Sequence, residues 1–151
     1  MQEKAICIRE LYQDPKERKD IVVEGWVRNN RNSGKVGFVT LHDGTCFKNL
    51  QVVYSADSPF FAEVAKYKMG SAVEFRGDLV LTPNLPQPFE LHPTSAKLLG
   101  DVAEDYPLQK KKTSFEFLRD EAYLRPRTNT FDAVFRVRSV LALGVHTFFQ
   151  D

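Results

Sequence analysis

Residues 21–28 read Ile21-Val22-Val23-Glu24-Gly25-Trp26-Val27-Arg28, a run rich in β-branched and aromatic side chains. With a period of two, Ile21, Val23, Gly25 and Val27 share one face, the pattern of a half-buried strand. Working outward, residues 29–37 (NNRNSGKVG) are dense in turn formers, Phe38 to His42 resume a strand, and Asp43-Gly44 supply a turn. Leu50-Gln51-Val52-Val53-Tyr54 then read as a third strand, completing a meander.

Beyond the meander the period changes to 3.6. Ser58 is expected to cap a helix with Pro59 in its first position, Phe60, Phe61, Val64 and Tyr67 as apolar neighbours and Gly70 at its end. Val73, Phe75, Gly77, Leu79 and Leu81 alternate with Glu74, Arg76 and Asp78, a fourth strand. A proline-rich loop over residues 82–88 leads to a fifth at Phe89-Glu90-Leu91-His92, which Pro93 confines to an edge or a bulge. Five short strands with one helix between the third and fourth predict a mainly β chain. The matching architecture is the partly open barrel called the OB-fold, which binds ligands on strands two and three and the flanking loops.

Toward the C-terminus the expected organisation is a β domain over residues 1–100, a solvated linker over 101–112 and a helical region over 113–151. Thr113 with Glu116 forms a capping-box signature ahead of Phe115, Leu118 and Ala122. A longer helix is expected from about Phe131, carrying Phe131, Val134, Phe135, Leu141, Ala142, Val145 and Phe149 at helical spacing. That stripe has no evident cover in the sequence, and the pattern runs to Asp151 without a stop signal, as expected of a truncated chain or of a tail that needs another chain.

Bulk properties narrow the function. Twenty-one basic residues against twenty acidic ones give a net charge of +1, so attraction to nucleic acid must come from local placement of charge. Cys7 and Cys46 lack metal-type spacing and read as reduced thiols, which points to the cytoplasm. His42, His92 and His146 are scattered over different elements, giving no support for a metal site or a catalytic pair. No apolar run reaches the roughly 20 residues needed to span a bilayer.

Between Gly25 and His42 stand Arg28, Arg31 and Lys35 with no acidic residue, and Phe38 follows on the next strand. Cations that track phosphates beside an aromatic face suit single-stranded nucleic acid; a charged hairpin rim over a core phenylalanine is the competing reading. Gln51 lies in a strand otherwise made of apolar residues, and its amide can donate to or accept from a base edge. It could equally mark the solvent face of the strand. Glu90, beside the proline-rich loop, could accept from a base amino group or point at water. Lys110 to Lys112 could touch phosphate or form a solvated run.

A more specific signal comes from motifs. Gly25-Trp26-Val27-Arg28, Arg31, Phe38 and Asp43-Gly44-Thr45-Cys46-Phe47 leading to Gln51-Val52-Val53 resemble the anticodon-binding domain of class II aminoacyl-tRNA synthetases for asparagine, aspartate and lysine. Within that group Tyr106-Pro107-Leu108, residues 112–119 (KTSFEFLR) and Leu124-Arg125-Pro126-Arg127-Thr128-Asn129 resemble the asparaginyl-tRNA synthetase family. The resemblance covers residues 6–151. It implies that Phe38 stacks on the middle anticodon base, a uridine, that Gln51 bonds the edge of that base, and that Arg28 and Arg31 hold phosphates. It places Glu90 and the Asn84 loop near neighbouring anticodon bases.

The C-terminal helix resembles the opening of the family's motif 1, which implies a homodimer interface in the full enzyme. The same resemblance implies an asparagine–tRNA ligase that forms an asparaginyl-adenylate with ATP and Mg²⁺. The residues for that chemistry are expected elsewhere, so this piece alone, with no catalytic or metal residue and no cofactor of its own, is expected to be inactive. Two readings of other classes compete: a standalone OB-fold module for generic single strands with a dimerising C-terminal helix, and a structural module whose helix pairs two chains.

Overall fold

The computed structural model describes residues 4–111 and 113–150. Two compact units, Met1–Lys110 and Lys111–Asp151, divide the chain. The first is built on strands β1 (Arg18–Asn32), β2 (Val36–His42), β3 (Leu50–Ser55), β4 (Ala72–Leu81) and β5 (Phe89–Gly100), closed into a barrel in the order β1-β2-β3-β5-β4. The five-stranded OB-type barrel expected from the alternating patterns is present, with a helical turn, α2 (Phe61–Val64), between β3 and β4.

Alternation of burial explains the closure. Val39 and Leu41, Leu50, Val52 and Tyr54, and Val73, Phe75 and Leu79 point inward and are buried, while the residues between them, such as Thr40, Gln51, Val53, Glu74 and Asp78, are half-buried. One helix was not legible: α1 (Ile8–Gln13) precedes the barrel and buries Ile8 and Leu11 completely in the core. It is only six residues long, and the flanking charges hide its two apolar positions.

The strand limits differ from the expectations in instructive ways. β1 runs through the turn-rich residues 29–32, because a register break between Val27 and Asn29 lets those residues pair with β2. The turn is reduced to residues 33–35, where Ser33 N–H donates to the Val36 carbonyl at 3.0 Å and Gly34 adopts φ +84°. β5 continues past Pro93 to Gly100. The expected bulge is there: Arg76 pairs with Ser95 and Gly77 with Pro93, leaving Thr94 as the extra residue.

The expected Ser58-capped helix running to Gly70 is a correction. α2 is a single turn, its N-cap is Phe60, and Ser58 contributes its carbonyl to the Phe61 N–H at 3.0 Å rather than a side-chain cap. Past Val64 the bonding tightens, Lys66 N–H reaching the Glu63 carbonyl and Tyr67 N–H the Val64 carbonyl. Asn30 closes this end from the barrel, donating Nδ2 to the Val64 carbonyl at 2.7 Å and the Tyr67 carbonyl at 3.1 Å. Gly70 ends the segment at φ +93°, the left-handed conformation glycine tolerates.

After β5 the chain is less solvated than expected. Asp101 accepts from Ser71 Oγ at 2.9 Å and Leu108 is buried. Of the lysine triplet, Lys112 lies outside the described residues, as does Asp151. In the second unit, α3 (Phe115–Asp120) is capped by Ser114, whose Oγ accepts from Phe117 N–H at 3.1 Å, and not by Thr113. A 3-10 turn (Arg125–Arg127) leads into α4 (Asn129–Gln150), which begins two residues before the expected start. Arg125 lies over Phe131 and Phe135 at 5.1 and 5.6 Å, whereas Val134, Leu141, Val145 and Phe149 are exposed.

Candidate nucleic-acid interface

The register break in β1 decides which side chains share the outer wall of the barrel. Before it, Val27 pairs with Leu41 and both are buried; after it, Asn29 pairs with Thr40 and Arg31 with Phe38. The break flips the parity of the strand, so that Asn30, next in line, turns inward to bond α2 and to accept from Tyr54 Oη at 3.0 Å. Asn29, Arg31, Thr40 and Phe38 are thereby aligned on the outside.

β3 extends the same wall. Gln51 pairs with Thr40 and Val53 with Phe38, making Phe38 and Gln51 diagonal neighbours on one face. Phe38 is half-buried and outside the core cluster, which removes the core-phenylalanine reading. The Arg31 guanidinium lies 5.1 Å from the centre of its ring, a cation–π contact.

The adjacent strand supplies a carboxylate. Val52 pairs in parallel with Leu91, and the neighbouring Glu90 is buried although it belongs to the outer row. Gln51 Nε2 donates to Glu90 Oε1 at 2.7 Å, and Gln87 Nε2 donates to the same oxygen at 2.6 Å. Glu90 Oε2 stands 3.9 Å from His92 Nε2. Two amide donors offset the cost of burying a carboxylate so near the surface.

Of the residues singled out from sequence, the structure therefore joins Arg31 with Phe38 and Gln51 with Glu90, and sets the two pairs side by side. Arg28 occupies the register break itself and is half-buried, so it does not belong to the alternating outer rows. Gln87 went unremarked in the sequence because an amide inside a proline-rich loop carries no periodic signal. Its position three residues before Glu90, between Pro86 and Pro88, is the only hint. Asn29 Oδ1 is buried with no hydrogen-bond partner among the described residues, an open acceptor beside this wall.

Chemically, the wall offers an aromatic face, a cation over it, and an amide–carboxylate–amide cluster. Stacking is worth roughly 1–3 kcal/mol per base and tolerates any base, whereas the amide cluster can discriminate between base edges. Among the described residues no group of three or more His, Cys, Asp or Glu side chains could hold a metal ion. No helix among the described residues is long and apolar enough to cross a membrane.

Comparison with known proteins agrees with this geometry. Residues 21–99 match the tRNA anti-codon family model, described as an OB-fold nucleic acid binding domain. The chain is 52% identical to the asparagine–tRNA ligase of Acetivibrio thermocellus and 49% identical to that of Clostridium tetani, in each case over 98% of this chain and 32% of the relative. It thus spans about a third of the length of these curated relatives. Among solved structures, asparaginyl-tRNA synthetase from Pyrococcus horikoshii, complexed with asparaginyl-adenylate, superposes with a TM-score of 0.80 at 23% identity, over 97% of this chain and 34% of that one. An aspartyl-tRNA synthetase from Entamoeba histolytica gives 0.79 at 19% identity, over 97% of this chain and 37% of that one. At these identities the structural likeness speaks for the fold.

Proposed function

The chain belongs to the OB-fold nucleic acid binding domains of the tRNA anti-codon family, and on that premise we propose that it is the anticodon-reading part of an asparagine–tRNA ligase. The observation that carries the reading is the outer wall in which Arg31 over Phe38 adjoins Gln51 bonded to Glu90. A splayed anticodon base stacks on Phe38 while Gln51 meets its edge, and Arg31 swings from the ring to a backbone phosphate. Arg28, at the register break, serves the backbone as well. Glu90 and the 82–88 loop face the neighbouring base.

For the whole protein we propose ligation of asparagine to its tRNA through an asparaginyl-adenylate, in the cytoplasm. ATP and Mg²⁺ serve that chemistry at residues beyond the third of the relatives' length that this chain spans, and the chain alone is inactive. The exposed apolar residues of α4 cover a second copy in a homodimer. Residues 1–100 act as the reading domain, 101–112 as a connector and 113–151 as the approach to the catalytic domain.

A competition experiment separates this from a generic single-strand module. The chain, bound to an asparagine-tRNA anticodon stem-loop at fixed salt, is challenged with an unstructured strand of equal length and base composition. Retention of the stem-loop supports anticodon reading; equal competition points to sequence-tolerant binding by phosphates and stacking.

A further inference from the structure

Glu90 is buried to 8% exposure, yet both amide donors that reach it, Gln51 Nε2 and Gln87 Nε2, converge on the single oxygen Oε1. An ionised carboxylate only accepts hydrogen bonds, so each glutamine must present its NH₂ to Glu90 and turn its carbonyl oxygen away. The amide orientation of Gln51, which an isolated glutamine would leave open, is set by this contact.

Gln87 is itself held. Its carbonyl accepts from Thr82 Oγ1 at 2.8 Å, the Pro88 carbonyl accepts from Thr82 N–H at 2.9 Å, and Leu85 N–H closes on the Thr82 carbonyl at 3.0 Å. Prolines on both sides restrict the backbone on either flank of Gln87. The loop delivers one fixed donor to Glu90, and Glu90 in turn faces Gln51.

We propose that Gln87 is a positioning residue that fixes, through Glu90, the direction of the Gln51 amide, and so selects a base whose edge carries a ring N–H. The selectivity follows from donor and acceptor patterns. Uracil presents a ring N–H donor between two carbonyl acceptors, whereas cytosine presents an acceptor at the ring nitrogen beside an amino donor. A Gln51 carbonyl turned outward accepts from the uracil N–H and opposes the lone pair of cytosine. Removing Gln87 leaves Oε1 held by Gln51 alone, with His92 at 3.9 Å from Oε2, and the outward carbonyl loses its fixed direction.

This rests on the anticodon reading, and the test keeps the two apart. In the free chain the Gln51 side-chain amide protons are followed by NMR, and binding is measured to stem-loops with uridine or cytidine in the middle position, at matched salt. Gln87→Met keeps the length and removes the donor; Gln87→Lys restores a donor. The expected result is a moved, faster-exchanging Gln51 amide in Gln87→Met, with the uridine preference reduced by roughly five- to tenfold, the effect of one ordinary hydrogen bond, and recovery of both in Gln87→Lys. An unmoved Gln51 amide in Gln87→Met overturns the proposal. So does a moved amide with an unchanged preference. If the parent chain shows no uridine preference, the anticodon reading fails, and the Gln51 resonances alone decide whether Gln87 positions that amide.

Discussion

Arg31 on β1 stands opposite Phe38 on β2, its guanidinium carbon 5.1 Å from the centre of the ring. In the free chain a cation thus covers the aromatic face on which a base would stack.

Phe38 and Arg31 should therefore separate in their salt dependence. Phe38→Ala is expected to weaken stem-loop binding by about 1–3 kcal/mol while leaving the slope of affinity against salt unchanged, because stacking releases no counterions. Arg31→Ala is expected to lower that slope by about one, the loss of one phosphate contact. Titrations at several salt concentrations give both quantities. Neither variant should shift the thermal midpoint much, since neither side chain belongs to the core cluster.

Gly37 is constrained by its cross-strand partner. A β-carbon at this position would lie 2.0 Å from Cζ of Tyr54, a ring that is almost fully buried and donates its hydroxyl to Asn30 at 3.0 Å. Gly37→Ala must displace that ring, at a cost of about 1–3 kcal/mol by overpacking, and denaturant unfolding should show it. Because Asn30 also ties down the end of α2, amide exchange over residues 64–67 should rise in the same variant.

Alkaline conditions should unfold the barrel through its tyrosines. Burial raises the ionisation of Tyr12, Tyr54 and Tyr67 above the ordinary 10.0, with the hydrogen bond to the Glu63 carboxylate adding to the rise at Tyr67. A folded-state value above the unfolded one means a contribution that is complete below pH 10 and lost as pH climbs through the folded values. Stability should stay flat with respect to these groups up to about pH 10 and fall beyond it. Tyr67→Phe should reduce the fall, and phenolate absorbance should show Tyr12, Tyr54 and Tyr67 ionising late.

The cap of α3 can be tested by two neighbouring substitutions. Ser114 Oγ accepts from Phe117 N–H at 3.1 Å, so Ser114→Ala should cost about 1 kcal/mol of local helix stability and Thr113→Ala little. Equal effects at both positions would restore the capping box expected from Thr113 and Glu116.

Much of the barrel was legible because inward and outward residues alternate cleanly, as in Val73 to Leu81, where the expected fourth strand and the observed β4 differ by one residue. The limits of β1 were not legible. Asn29 to Asn32 have turn-type chemistry, and only the register break after Val27 makes them useful in a strand. α1 escaped because two buried residues in a charged six-residue stretch leave no measurable period. For the wall, Phe38, Gln51, Arg31 and Glu90 stood out as residue types, but their pairing depends on parity and on the parallel β3–β5 contact. Gln87 needed the folded loop to acquire a meaning at all.

The central claim is that this wall reads the middle anticodon base. Its most direct test is the affinity of the chain for an asparagine-tRNA anticodon stem-loop with its middle uridine intact or changed to cytidine, measured at one salt concentration beside Gln51→Ala. A clear uridine preference in the parent, lost in Gln51→Ala while residual binding persists, is the predicted result. Equal affinity of the parent for both stem-loops would contradict it.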